Sequence, residues 1–137
     1  MPTETDYKRA FRASCGGWTS AVEPGRGGDS GAADLLVLVG QRIVPVELKI
    51  GQLGDDGLFR FHKPGIRPAQ ISWHFELAKA GGFSFLAGGQ WVDGKWQTYF
   101  FEASNLSGWR DGLVPIADTE HESLAELLPW LVDVWGS

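Results

Sequence analysis

The fold of this chain is decided by residues 33–49, which read ADLLVLVGQRIVPVELK. Two apolar runs meet at Gly40-Gln41, and this pattern predicts two antiparallel strands joined by a tight turn. Successive side chains of a strand point to opposite faces of a sheet, so Glu47 and Lys49 share one face. If the two strands pair end to end, Asp34 lies near both.

Charged side chains at the ends of these apolar strands are the first indication of function. Burying a charge costs free energy unless the charge is paired or binds a metal. Asp34, Glu47 and Lys49 therefore predict one of two arrangements. The first is a metal site, and the second is a cross-strand Asp34–Lys49 ion pair with Glu47 solvated at a strand end.

The bulk properties predict an ordinary soluble domain. A length of 137 residues is typical of one domain, and 43 % hydrophobic and 21 % charged residues are typical of globular proteins. The sequence contains no apolar run of about 18 residues that would cross a membrane, and its polar start lacks the apolar region of a secretory signal. We therefore expect a cytoplasmic protein without membrane association.

The net charge of −5 is unevenly distributed along the chain. Up to Arg110 there are twelve Lys and Arg against eleven Asp and Glu, whereas the remaining residues hold six acids and no Lys or Arg. The acidic excess therefore lies in the C-terminal tail, and the net charge does not exclude a polyanionic partner elsewhere. The single cysteine, Cys15, excludes an internal disulfide and a multi-cysteine zinc site.

Helix and strand patterns on both sides of the hairpin predict a single α/β domain over residues 1–137. The expected elements before residue 90 are a helix over Glu4–Ser14, a strand over Trp18–Val22, a glycine-rich loop over 23–31, a second helix from Pro68 to about Ala80 and a buried strand over Phe83–Ala87. The stretch Ile50–Ile66 is rich in glycine and polar residues and is predicted to be a long, functional loop.

The C-terminal part is predicted to extend the core of residues 4–87 by a hairpin and a helix over residues 90–137. Asp93-Gly94 favours a type I′ turn between two aromatic strands. Thr119, with Glu122 three residues later, predicts the N-terminal cap of the last helix, and Pro129 is expected to kink that helix or start a new turn. The seven tryptophans are expected to be core and packing residues rather than a base-stacking platform.

Taken in order, these elements and four short motifs resemble the PD-(D/E)xK nuclease superfamily. The motifs are Glu4 in the first helix, Asp34 at a strand start, Glu47-Leu48-Lys49 at a strand end and Gln70 at the start of the second helix. Within the superfamily the chain is most similar to small phage-type, Holliday-junction-resolvase-like or VRR-NUC-like nucleases. The family name has proline where this sequence has Ala33.

The resemblance implies a restriction-endonuclease-like core, a central mixed β-sheet flanked by α-helices, that acts as a Mg²⁺-dependent endodeoxyribonuclease and also accepts Mn²⁺. Six residues take roles by this resemblance, with Asp34, Glu47 and the Leu48 backbone carbonyl as metal ligands, Lys49 as the catalytic lysine, and Glu4 and Gln70 as supporting catalytic residues. Such ligands suit the chemistry, because Mg²⁺ is commonly held by one or two carboxylates with water and phosphate completing its shell.

DNA is the partner that the resemblance implies, with branched DNA as the preferred substrate and the host cytoplasm as the location if the protein is phage-derived. The basic residues Arg60, Lys63 and Arg67 follow the proposed site and are predicted to contact DNA phosphates. His62 and His74 are expected to be an ordinary loop residue and an ordinary helix-face residue. A homodimer is a hypothesis by family analogy, because junction-resolving nucleases often act in pairs.

Two other functions stay open at this point. The first is a catalytically inactive module with the nuclease fold, which binds a protein partner through the aromatic hairpin and the acidic tail. The second is a small hydrolase that uses Cys15 or a histidine. Metal binding separates the first from a nuclease, and thiol alkylation separates the second.

Overall fold

The computed structural model describes residues 2–22 and 32–136, and the predicted loop over 23–31 lies outside them. The helices are α1 (Glu4–Ser14), α2 (Pro68–Lys79) and α3 (Leu124–Trp135). The strands are β1 (Thr19–Ala21), β2 (Leu35–Val39), β3 (Arg42–Leu53), β4 (Phe59–Phe61), β5 (Phe85–Val92), β6 (Lys95–Glu102) and β7 (Ala117–Asp118), and a short 3₁₀ helix covers Trp109–Asp111. The predicted α/β class is confirmed.

The seven described strands form one open, mixed sheet. Its order is β1-β2-β3-β5-β6-β7, and β4 pairs with the C-terminal half of β3. The pairing of β3 with β5 is parallel, and the other pairings are antiparallel. Tyr7 and Phe11 of α1 pack with the leucines of α3 against one face of the sheet, whereas α2 packs Ile71 against the other face.

Local sequence determined several of these elements. The Thr3 hydroxyl accepts a hydrogen bond from the Asp6 N–H and the Asp6 carboxylate accepts one from the Thr3 N–H, so α1 begins with a complete capping box. The predicted hairpin is confirmed, with β2 and β3 paired up to the turn at Gly40, whose φ is 61°. The second hairpin turns at Asp93 and Gly94 with φ of 50° and 79°, as a type I′ turn requires.

Two predictions about segment ends were wrong. Strand β3 does not end at Lys49 but continues to Leu53, where β4 pairs with it, so the predicted loop over Ile50–Ile66 contains a small antiparallel hairpin. The last helix is capped by Ser123, whose hydroxyl accepts from the Glu126 N–H, and not by Thr119. The Thr119 hydroxyl instead accepts the Thr98 N–H at the edge of β6, a contact that only the sheet creates.

The C-terminal elements share the sheet and the core with the rest of the chain. Strands β5 and β6 pair from Phe85↔Glu102 to Val92↔Lys95, and α3 continues through Pro129. None of the seven tryptophans is fully buried, but Trp96 and Trp109 pack against the core, as expected of packing residues. Four expose between 39 % and 50 % of their surface, namely Trp18, Trp91, Trp130 and Trp135.

In the described part of the chain, no helix has the length and apolar character needed to cross a membrane.

Candidate functional site

A gap in strand pairing lies at one edge of β3, in the middle of the strand. Strand β2 pairs with β3 only as far as Leu35↔Val46, and β4 resumes the pairing only at Gly51↔Phe61. Among the described residues, therefore, no strand pairs with residues 47–49 at this edge. The gap comprises the Glu47-Leu48-Lys49 motif, which lies within a long strand rather than at its end.

Asp34, directly before β2, occupies the start of this gap. Its Oδ2 accepts a hydrogen bond from the Leu48 backbone N–H at 2.9 Å. The N–H and C=O of one residue in a strand point to the same edge. The Leu48 carbonyl therefore points into the gap as well, where neither β2 nor β4 pairs with it. It can serve as an oxygen ligand beside the Asp34 carboxylate.

Glu47 is the most unusual residue of the site, because its side chain is 0 % exposed. Its Oε1 lies 3.4 Å from His74 Nε2, and its Oε2 accepts no hydrogen bond from a donor in the described residues, so a proton shared with Asp34 is what remains for it. Burial, followed by the hydrogen bond and the negative charge of Asp34, raises the pKa of Glu47 well above its usual range. The two acids are thus close enough to share one proton.

The pKa of Asp34 moves in the opposite direction. Burial acts to raise it, but the hydrogen bonds with Glu47 and the Leu48 N–H, together with the charge of Lys8, outweigh burial and lower it. Asp34 is therefore the ionised member of the pair and Glu47 is the protonated one. A divalent cation would replace the shared proton and leave both carboxylates ionised.

Lys8 is a site residue that sequence reasoning missed. Its Nζ lies 3.2 Å from Asp34 Oδ1 and 3.6 Å from Glu4 Oε2, so it stands between the predicted acid Glu4 and the acid pair. Burial acts to lower the pKa of Lys8, but the charges of Asp34 and Glu4 outweigh burial and raise it. The i,i+4 spacing of Glu4 and Lys8 was the available indication.

Lys49 lies on the same face of β3 as Glu47 and is only 6 % exposed. It forms no ion pair or hydrogen bond with any residue in the described ranges 2–22 and 32–136, although its charge acts to lower the pKa of Glu47. The predicted Asp34–Lys49 ion pair with a solvated Glu47 was therefore wrong, since Asp34 pairs with Lys8 and Glu47 is buried.

Helix α2 brings two buried polar side chains to the sheet. Gln70 Oε1 accepts the Arg67 N–H at 2.9 Å, so Gln70 caps the helix from within its first turn. One turn later, His74 is fully buried and contacts Glu47 through Nε2 and the Ser84 hydroxyl through Nδ1. His74 is a helix-face residue as expected, but its contact with Glu47 was not predicted; the spacing of Gln70 and His74 on one face was the available indication.

The three predicted DNA-binding residues lie on or directly after β4. Arg60 forms an exposed ion pair with Asp56 at 2.7 Å, and Lys63 and Arg67 are exposed residues between β4 and α2. The His62 N–H donates to the Ile50 carbonyl, so the segment with Lys63 leaves β3 beside the gap. This register places the start of the Lys63 segment opposite Ile50, nearer to the gap than Arg60, which pairs with Gln52.

The donor set fits a hard divalent cation such as Mg²⁺ or Mn²⁺. Two carboxylates and a backbone carbonyl are oxygen ligands, and the uncommitted Oε2 of Glu47 supplies a ligand atom that has no other partner in the described residues. Within these residues, no three His, Cys, Asp or Glu side chains form a cluster of the kind that holds a metal by side chains alone. A site of this type depends on water and substrate oxygens for the rest of the shell.

Cys15 offers no alternative catalytic site. Its side chain is buried, its Sγ–H donates to the Phe11 carbonyl, and burial raises the pKa of the thiol to about 11. It is a core residue in an unreactive state.

Comparisons of the chain with protein families, with curated proteins and with solved structures found no match.

Proposed function

We propose that the chain is a Mg²⁺-dependent endodeoxyribonuclease with a restriction-endonuclease-like core. The observation that carries the proposal is Glu47, a fully buried carboxyl group placed against a second carboxyl group, Asp34. Two such acids cannot both ionise unless a cation lies between them, and a protein that only needed a stable sheet would gain by an apolar residue at this position. A bound cation gives the arrangement a purpose.

The metal ligands in this proposal are Asp34, Glu47 and the Leu48 carbonyl. A bound Mg²⁺ would lower the pKa of water and stabilise charge on the phosphate oxygens. The gap in strand pairing supports this role, because neither β2 nor β4 pairs with Leu48, whose carbonyl lies next to the Asp34 carboxylate. Substrate phosphate would enter from the same edge.

Lys49 is proposed as the group that stabilises charge developing on the phosphate. Its ammonium group is largely buried and has no ion-pair partner in the described parts of the chain, so its charge is available to a substrate. Glu4 acts through Lys8, whose ammonium group pairs with both Glu4 and Asp34. Gln70 supports the site indirectly, by capping the helix that carries His74.

DNA would be held by the basic segment that follows the gap. Lys63 and Arg67 are exposed on the segment between β4 and α2 and are proposed to neutralise phosphates, with Arg60 on β4 as a further contact. Selectivity for branched DNA, a phage origin and action as a homodimer are further parts of the proposal, and they rest on the family resemblance.

The proposal is tested by cleavage of supercoiled plasmid and of a four-way DNA junction in Mg²⁺, in Mn²⁺ and in chelator. We expect metal-dependent cleavage that is lost in Glu47→Gln and in Lys49→Met. Glu76→Gln and Lys79→Met are matched controls, because these two residues lie on α2 and are well exposed. Cleavage in chelator, or equal cleavage by Glu47→Gln and Glu76→Gln, would reject the site.

The alternative of an inactive, protein-binding module is favoured by one observation. Trp91 on the β5–β6 hairpin and Trp130 and Trp135 on α3 expose large aromatic surfaces, which are common at protein interfaces. This alternative predicts no heat of Mg²⁺ binding in calorimetry and no cleavage by the wild-type protein. It also predicts that an Asp34→Ala/Glu47→Ala variant folds normally and keeps any partner binding.

A further inference from the structure

We propose that His74, held by Ser84, is a positioning residue that orients Glu47 toward the metal, an inference that rests on the proposed function. His74 does not contact the gap itself. It acts through Glu47, whose carboxylate has to present one defined oxygen to the cation. The proposal assigns a purpose to a histidine and a serine that the family motifs do not include.

The geometry is a short chain of three buried side chains from three elements. Ser84 Oγ lies 2.6 Å from His74 Nδ1, and His74 Nε2 lies 3.4 Å from Glu47 Oε1. Ser84 directly precedes β5, which pairs with β3 from Val46↔Phe85 onward. Glu47 and His74 are 0 % exposed and Ser84 is 3 % exposed, so water does not compete strongly for these contacts.

The hydrogen-bonding roles of the imidazole follow from its two partners. An ionised carboxylate can only accept, so Nε2–H must donate to Glu47 Oε1 when a metal is bound. The other nitrogen, Nδ1, then has to accept, and the Ser84 hydroxyl is able to donate to it. This arrangement commits Oε1 to His74 and leaves Oε2 as the metal ligand.

The position of His74 is itself well determined. Its ring packs edge-on against Trp73 with centroids 4.9 Å apart and planes at 83°. Gln70 caps the same helix one turn earlier. Removing a residue that hydrogen-bonds to a metal ligand, without contacting the metal itself, typically lowers metal affinity or activity by about 10- to 100-fold. His74 has the contacts and the rigid setting that such a residue requires.

The test compares Mg²⁺ and Mn²⁺ affinities of full-length variants by calorimetry, with thermal unfolding to verify folding. His74→Phe keeps a ring but cannot donate, and we expect about 10- to 100-fold weaker binding. His74→Gln keeps a donor at similar reach and should recover most of the affinity, whereas Ser84→Ala should lose several-fold. His62→Phe is the matched control, because His62 is exposed on the segment after β4.

A second measurement keeps the proposal testable if His74→Phe fails to fold. Nitrogen NMR of the wild-type protein saturated with Mg²⁺ should show a His74 ring protonated at Nε2, with resonances that differ from those of the metal-free protein. A ring protonated at Nδ1 in the Mg²⁺-bound protein, or a ring whose resonances do not change when Mg²⁺ binds, would overturn the proposal.

The outcomes separate this inference from the proposed function. If His74→Phe folds and binds Mg²⁺ as tightly as His62→Phe, while Glu47→Gln does not bind it, the positioning role is wrong and the metal site stands. If the wild-type protein binds neither Mg²⁺ nor Mn²⁺ and cleaves no DNA, both are wrong. If His74→Gln keeps most of the Mg²⁺ affinity and His74→Phe loses it, the hydrogen bond to Glu47 is what matters, rather than the packing of the ring.

Discussion

Two clusters of charged side chains in this molecule differ in how their acids are paired. In the first, Asp56 and Arg60 form an ion pair at 2.7 Å, and both side chains are about half exposed. In the second, Asp34 and Glu47 place two acids together at the gap in β3, with Lys8 and Lys49 nearby. The first cluster pairs its one acid with a base, whereas the second also places one acid against another.

This difference shows what a structural role requires and what a binding role leaves open. The Asp56–Arg60 pair is complete, since Asp56 also accepts the Leu58 N–H within the same turn. The buried cluster is incomplete, because Glu47 Oε2 has no partner and Lys49 forms no ion pair among the described residues. Incomplete polar clusters with displaced pKa values are typical of functional sites.

Replacing one acid of each cluster by its amide should give the largest difference between the two clusters, measured as the rate of DNA cleavage. Asp34→Asn removes a charged ligand, so we expect DNA cleavage in Mg²⁺ to fall at least about a hundredfold. Asp56→Asn changes only an exposed ion pair and should cleave at the wild-type rate. Initial rates on supercoiled plasmid measure both, and similar rates for the two variants would remove the functional distinction between the clusters.

The second-largest effect should be a dependence of the free energy of unfolding on pH, which Glu47 causes. In chelator, folded Glu47 keeps a proton that the unfolded chain releases near its ordinary pKa of 4.5. The folded state therefore binds more protons, and stability falls as the pH rises from about 5 toward 9. The lowered pKa of Asp34 acts only at lower pH, outside this window.

Glu47→Gln should remove this pH dependence, because the amide cannot ionise. We expect the variant to be more stable than the wild type at pH 8 by about 1–3 kcal/mol, even though it is inactive. Urea unfolding at pH 5, 7 and 9 measures the effect, with the exposed Glu76→Gln as the control. An unchanged pH slope in Glu47→Gln would show that Glu47 is ionised in the folded state.

Lys8→Met should have a smaller effect of opposite sign to that of His74→Phe. Lys8 neutralises Asp34 and Glu4, and its ammonium repels a divalent cation at the same carboxylates. Removing the charge should therefore tighten Mg²⁺ binding by several-fold in calorimetry. Arg9→Met is the control, since Arg9 lies next to Lys8 but pairs with Asp6 instead. Weaker binding in Lys8→Met would mean that Lys8 mainly positions Asp34.

Arg60→Met should have the smallest effect. The pair with Asp56 is exposed, so we expect no measurable change in the thermal midpoint. If Arg60 contacts one DNA phosphate, binding weakens slightly for all sequences and the salt slope falls by about one. Lys63→Met should reduce the slope equally. An unchanged slope in both variants would place the DNA on another surface.

The elements that sequence reasoning predicted well are those with local causes. Helix α1 has its capping box within four residues, and the two hairpins turn at glycine-containing pairs with positive φ. The end of β3 and strand β4 were missed because their pairing, Gly51↔Phe61 to Leu53↔Phe59, crosses a stretch rich in glycine and polar residues. Composition in that stretch favours a loop, and only the neighbouring strands make it a sheet.

The candidate site divides in the same way. Asp34, Glu47 and Lys49 were found from their places in one hairpin, and Glu4 and Gln70 from a family pattern. Lys8 and His74 were missed because an exposed-looking lysine and a helix histidine are ordinary residues in sequence. Their contacts join α1 to Asp34 and α2 to β3, over separations of 26 and 27 residues.

The sequence by itself determined the α/β class, the central hairpin and the three acid and base positions on it. Tertiary structure alone decided that β3 runs past its charged motif, that the motif lies in a gap between β2 and β4, and that Glu47 is buried with one oxygen uncommitted. The physical reason is that turns and caps depend on neighbouring residues, whereas burial and strand pairing depend on which distant segments meet.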